Sequence, residues 1–175
     1  MVVRPFAGIL MATALVGMAA PALAQLGGGG LVLSGSEGVK TLAYSLDFNG
    51  IARQLDRYRL RIPAQSVAVA EIQINADEFF DAIIDPNGVR VEAEGKPVEL
   101  REVFWSPEFR ALEVAFKDPI PSGQRIEVIL SNVRNPTEAN IFRLRANVLG
   151  TEPNPIFRTV GNWLITIEHR RERSF

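Results

Sequence analysis

Two groups of carboxylates are the first residues to weigh for chemistry. Asp77, Glu78, Asp81 and Asp85 lie close together, and clustered oxygen ligands are what a hard cation such as calcium takes. The Asp-x-Asp-x-Asp-Gly loop of a calcium site is absent, so these acids read as solvated surface. Glu92, Glu94, Glu99 and Glu102 form the second group; two carboxylates flanking a scissile bond can hydrolyse a glycoside. Their alternation near a strand reads first as its wet face. Nucleophile chemistry has little to work with. The chain has no cysteine and one histidine, and His169 sits in the charge run Glu168-His169-Arg170-Arg171-Glu172-Arg173 rather than in a packed site. Gly-x-Ser-x-Gly, the nucleophile elbow, does not occur. Zinc wants several imidazole or thiolate ligands and copper carriage wants clustered His, Met or Cys. The three methionines are Met1, Met11 and Met18, all near the start. No catalytic, cofactor-binding or metal-ligating residue is assigned, and no cofactor is expected.

Arg57, Arg59 and Arg61 alternate along one segment, and Arg143 and Arg145 along another. Such a stripe would suit an anionic polymer or lipid headgroup. The net charge of −1 favours instead a face neutralised by neighbouring acids, Glu71 being the candidate. Nucleic acid would want a basic face and is not expected as a partner.

The opening segment reads as an address. Arg4 is its only charge, an apolar run covers Phe6 to Ala20, and Pro21 breaks it before the small-x-small pattern Ala22-Leu23-Ala24. This is a secretory signal peptide over residues 1–24, cut before Gln25. The apolar run is short of the roughly 20 residues a membrane span needs, so no span is expected after cleavage. The mature chain would be periplasmic or extracellular, with 18 bases against 20 acids. Residues 25–38 are rich in Gly and Ser and read as a flexible leader. Gly27 to Gly30 have neither a preceding strand nor a following Gly-Lys-Ser/Thr, as a phosphate loop would need. Residues 39–168 are expected to be one domain, followed by a charged tail, 169–175.

From Val39 onward the apolar residues repeat with period two. The clearest sets are Tyr58, Leu60, Ile62; Val89, Val91, Ala93; Leu112, Val114, Phe116; Ile126, Val128, Leu130; Phe142, Leu144, Ala146, Val148; and Trp163, Ile165, Ile167. Leu42 to Phe48 and Ala70, Ile72, Ile74 show the same alternation. Side chains on a strand point alternately to its two faces, so each segment buries one side. Turn residues separate the segments, as in Asp85-Pro86-Asn87-Gly88 and Pro121-Ser122-Gly123, where Asn-Gly permits a positive φ. Seven to nine strands of this kind predict an all-β, antiparallel, immunoglobulin-like β-sandwich, with a barrel as the alternative. Phe79, Phe80, Ile83 and Ile84 break the alternation, and Asn75 stands three residues before Glu78 as in a capping box. A short helix near residues 76–84 is therefore expected.

The stretch Arg59-Leu60-Arg61-Ile62-Pro63 through Val69 to Ile74 resembles a secreted cyanobacterial family known as domain of unknown function 2808. The resemblance is strongest from Leu112 through Asp118-Pro119-Ile120-Pro121-Ser122-Gly123 and on to Val128 and Arg134-Asn135-Pro136. Phe142 to Ala146 and Gly161-Asn162-Trp163-Leu164 are similar in position to its closing strands. The resemblance covers about residues 57–168 and departs over Phe79 to Asn87. It implies an exported protein with no known activity and transfers no site. The expected function is a non-catalytic binding or structural module of the cell envelope, its partner an envelope protein or polysaccharide. The alternative is a carboxylate-based hydrolase or a calcium-dependent carbohydrate-binding domain.

Overall fold

The structure, a computed structural model, describes residues 39–170. The expected signal peptide, the expected leader and most of the expected tail lie outside the described residues. Among the described residues there are ten strands: β1 (Tyr44–Leu46), β2 (Leu55–Ile62), β3 (Val69–Ala76), β4 (Val89–Ala93), β5 (Lys96–Pro97), β6 (Leu100–Ser106), β7 (Ala111–Ile120), β8 (Ile126–Arg134), β9 (Asn140–Gly150) and β10 (Phe157–Ile167). They form two five-stranded sheets, in the orders β1-β2-β8-β4-β5 and β10-β9-β3-β7-β6. Every strand pair within them is antiparallel. The architecture is the immunoglobulin-like sandwich expected, not a barrel.

The core follows from the period-two pattern. Tyr58, Leu60 and Ile62 of β2 and Val128 and Leu130 of β8 face Leu112, Val114, Leu144, Trp163 and Ile165 of the second sheet, all within one buried cluster. Trp163 is fully buried and its indole donates to the Arg61 carbonyl at 3.2 Å, tying one sheet to the other. Phe80 and Phe142 meet edge to face with centroids 5.5 Å apart, a favoured aromatic geometry.

Three expectations need correction. Residues 76–84 hold no helix; the described residues contain only the 3-10 turn Pro86–Gly88. Phe80, Ala82 and Ile84 are buried while Phe79, Asp81 and Ile83 are exposed. The segment has period two like the strands around it, and Ile83 bridges Arg134 of β8. The Phe79-Phe80 and Ile83-Ile84 pairs mimic a helical repeat only because each has an apolar residue on its wet side. Second, Asp85-Pro86-Asn87-Gly88 is a turn, but neither Asn87 nor Gly88 has positive φ. Asp85 holds it by accepting from the Asn87 amide at 2.9 Å. Glycine is required at 88 for close approach: a Cβ there would stand 2.6 Å from the Ser131 carbonyl oxygen. Third, the strand number exceeds nine, because the eight alternating segments are joined by the two-residue β5 and by β6. Arg101 and Glu102 are both exposed at its bulge, which interrupts the alternation.

Candidate functional site

A cleft of about 640 Å³ lies at one end of the first sheet. Four segments meet there: the incoming chain at Lys40 to Ala43, the end of β2 at Arg61 to Pro63, the β4–β5 turn and the start of β8. Leu42, Ile62 and Ile126 are buried residues whose exposed fringe gives the cleft an apolar floor. Its rim carries Lys40, Arg61, Glu92, Glu94, Arg125 and Glu127.

Local sequence explains how these groups are held. Glu94 and Gly95 both have positive φ, 48° and 75°, the two-residue hairpin turn whose twist matches the flanking strands. That turn projects Glu94 across to Arg125. The Glu94 carboxylate accepts from the Arg125 backbone amide at 2.8 Å, Nε at 3.2 Å and Nη2 at 2.9 Å. Side-chain and backbone hydrogen bonds from Arg125 hold the Glu94 pKa down to about 2. Glu127 takes Arg61 Nε at 3.0 Å and Arg59 Nη1 at 3.3 Å. Glu92 and Glu127 are partners in the β4–β8 register, so both sit on the outer face of the sheet.

The remaining sequence candidates scatter. Of the second carboxylate group, Glu92 and Glu94 reach the cleft, whereas Glu99 pairs with Lys117 at 2.7 Å and Glu102 lies exposed on β6. Glu78 of the first group is exposed, and the other three acids are each spent on separate partners. Asp77 Oδ2 accepts from the Arg143 amide, Asp81 from the Thr137 amide and hydroxyl, and Asp85 from Asn87. His169 is exposed just after β10. The arginine stripe of β2 is neutralised, but by other acids than expected. Asp47 binds Arg59 at 3.1 Å and Arg57 at 3.5 Å, and Glu127 binds Arg59 and Arg61. Glu71 belongs to the opposite sheet, where desolvation and the neighbouring Glu113 raise its pKa. Arg125 and Lys40 are rim residues that sequence reasoning missed. The signal for Arg125 was its place at the mouth of β8, opposite an acid-glycine hairpin turn.

Chemically, the cleft offers a polar rim of both signs over an apolar floor. Two of its acids, Glu94 and Glu127, are tied to arginines, and Arg125 holds Glu94 ionised. A general acid in glycoside cleavage needs the opposite, a carboxyl kept protonated by its surroundings. Glu71, whose pKa is raised by desolvation and Glu113, is on the other sheet.

Fold and cleft together define a β-sandwich module with a charged groove at one end. The chain belongs to the family described as protein of unknown function DUF2808, whose model matches residues 33–167. Among curated proteins no sequence relative was found. Solved structures share a coarse likeness. The bacterial hydrophobin BslA matches with 11% identity and a TM-score of 0.46, covering 74% of this chain and 98% of that one. A collagen-binding domain from a Staphylococcus aureus adhesin matches with 10% identity and a TM-score of 0.42, covering 74% and 98%. BcpA, the major pilin subunit of Bacillus cereus, matches with 11% identity and a TM-score of 0.44, covering 73% of this chain but 40% of its own.

Proposed function

We propose that the protein is an exported, non-catalytic binding module of the cell envelope, and that the cleft is where its partner is gripped. The partner is a polysaccharide or protein segment presenting polar groups to the rim and an apolar edge to the floor. One observation carries this reading. Two of the three rim acids are ion-paired, Glu94 with Arg125 and Glu127 with Arg61, so the rim is organised for recognition by fixed charge pairs. Export is supported by the Arg4, apolar-run and Ala22-Leu23-Ala24 pattern and by the resemblance to a secreted cyanobacterial family. Among the described residues no helix is long and apolar enough to cross a membrane.

Incubating the purified protein with envelope polysaccharides and peptides, and analysing the mixtures by mass spectrometry, tests the reading. Intact ligands and a protein N-terminus at Gln25 are expected. A released fragment that disappears in Glu92→Gln or Glu127→Gln would replace it with a hydrolase.

A further inference from the structure

The end of the sandwich opposite the cleft leaves large apolar side chains in solvent. The antiparallel register brings the turn after β1, the connections 77–88 and 135–139, and the β6–β7 turn to this end. There Phe48 is 54% exposed, Leu55 56%, Phe79 70%, Ile83 61%, Phe109 71% and Ile141 51%. These are six of the ten large hydrophobic residues that stand exposed among the described residues. Leu55 and Ile83 flank Arg134, each a register partner of it. Taking about 200 Å² per ring side chain, the three phenylalanines alone present roughly 400 Å².

The charges at this end say what covers it. Glu78 precedes Phe79 and Glu108 precedes Phe109. Among the described residues neither has a cation within 4.0 Å, and Arg110, Arg134 and Arg143 have no carboxylate within that distance. Arg110 Nε is buried without a hydrogen-bond partner. An anionic lipid surface would be repelled by Glu78 and Glu108, beside the most exposed rings. A second copy of the same end presents both signs. The arginines of one copy can meet the acids of the other while the rings are buried between them.

We propose that this end docks on the same end of a second copy, in a two-fold contact of the self-complementary kind. Phe79 and Phe109 are buried between the copies, and Glu78 and Glu108 face the arginines of the other copy. The contact is independent of what the cleft binds. With three rings and a few charges a side, it belongs with small, reversible contacts.

Sedimentation equilibrium of the purified protein from about 1 µM to about 1 mM, the range suited to such an interface, tests the proposal. A reversible monomer–dimer equilibrium is expected. The double variant Phe79→Ser/Phe109→Ser should weaken it at least tenfold at unchanged melting temperature, since both rings are exposed. Glu78→Lys/Glu108→Lys and Arg134→Glu/Arg143→Glu should each fail to self-associate, while their mixture forms a heterodimer. A monomer across the whole range, a double variant that still dimerises, or a mixture that stays monomeric would overturn it. So would a wild-type monomer that sediments with phosphatidylcholine vesicles and loses that binding in the phenylalanine double variant.

Discussion

Asp56 is almost fully buried, at 1% exposure, and its carboxylate serves three backbone amides. It accepts from Phe48 at 2.9 Å, Gly50 at 2.8 Å and Arg57 at 2.7 Å, holding the turn after β1 where Asn49 and Gly50 both take positive φ. Asp56→Ala would strand those amides, at about 2–4 kcal/mol. Thermal unfolding should show a melting temperature lower by about 5–15 °C. Tyr58 and Asn135 form a second buried unit: the phenol donates to Asn135 Oδ1 at 2.8 Å, and the amide donates to the Ile51 carbonyl at 2.9 Å. Glu71 works the other way. Its pKa is raised by desolvation and by Glu113, so the fold prefers the protonated form. Its destabilising effect is absent below the unfolded carboxylate range and grows as pH rises through the folded pKa. Glu71→Gln should therefore raise the melting temperature at pH 7 by about 1–2 °C and leave it unchanged in acid. A gain of equal size in acid would show that charge is not the cause.

The incoming chain, Lys40 to Leu42, is a structural element although it is hardly a strand. It lies along the outer edge of β10, with the Leu42 amide donating to the Asn162 carbonyl and the Asn162 amide to the Lys40 carbonyl, each at 2.8 Å. The seam is close because Gly161 lacks a side chain: a Cβ there would stand 2.5 Å from the Lys40 oxygen and 2.6 Å from Leu42 Cγ. Gly161→Ala should push this segment away, costing about 1–3 kcal/mol. Limited proteolysis should then cut near Lys40 faster than in the wild type, and an unchanged cleavage rate would contradict the seam. Elements of this kind explain what the sequence made legible. Strands with one wet face declared themselves through alternation, and the core residues of β2, β4, β9 and β10 could be read that way, whereas a bulge put Val133 of β8 out of phase. The 77–85 segment misled because its period-two burial was masked by exposed Phe79 and Ile83. The cleft was harder. Glu92 and Glu94 were visible as candidates, but Arg61, Arg125 and Lys40 come from distant segments, and only sheet order brings them together.

At the scale of the whole molecule the two ends of the sandwich differ in kind. One end carries the charged cleft, with its ion pairs and apolar floor; the other carries the exposed rings and unpaired charges. Between them the outer faces are settled internally, by the Asp47–arginine–Glu127 ladder on the first sheet and by amide bonds on the second. There Thr159 donates to Asn147, Asn147 to Asn75, and Gln73 to Glu113. Because hydrogen bonds from Arg125 hold the Glu94 pKa down to about 2, the Glu94–Arg125 pair is complete above the ordinary carboxylate range and is lost only as pH falls toward that value. Binding in the cleft should accordingly show no titration by Glu94 between pH 5 and 8. The direct test of the cleft is chemical-shift mapping by NMR as fragments of envelope polysaccharide, then envelope peptides, are titrated into the protein. Saturable shifts at Lys40, Arg61, Glu94 and Arg125, weakened at least tenfold in Arg125→Ala at unchanged melting temperature, are the predicted result. Saturable shifts confined to other surfaces, or an affinity that Arg125→Ala leaves intact, would contradict the assignment of the cleft as the binding site.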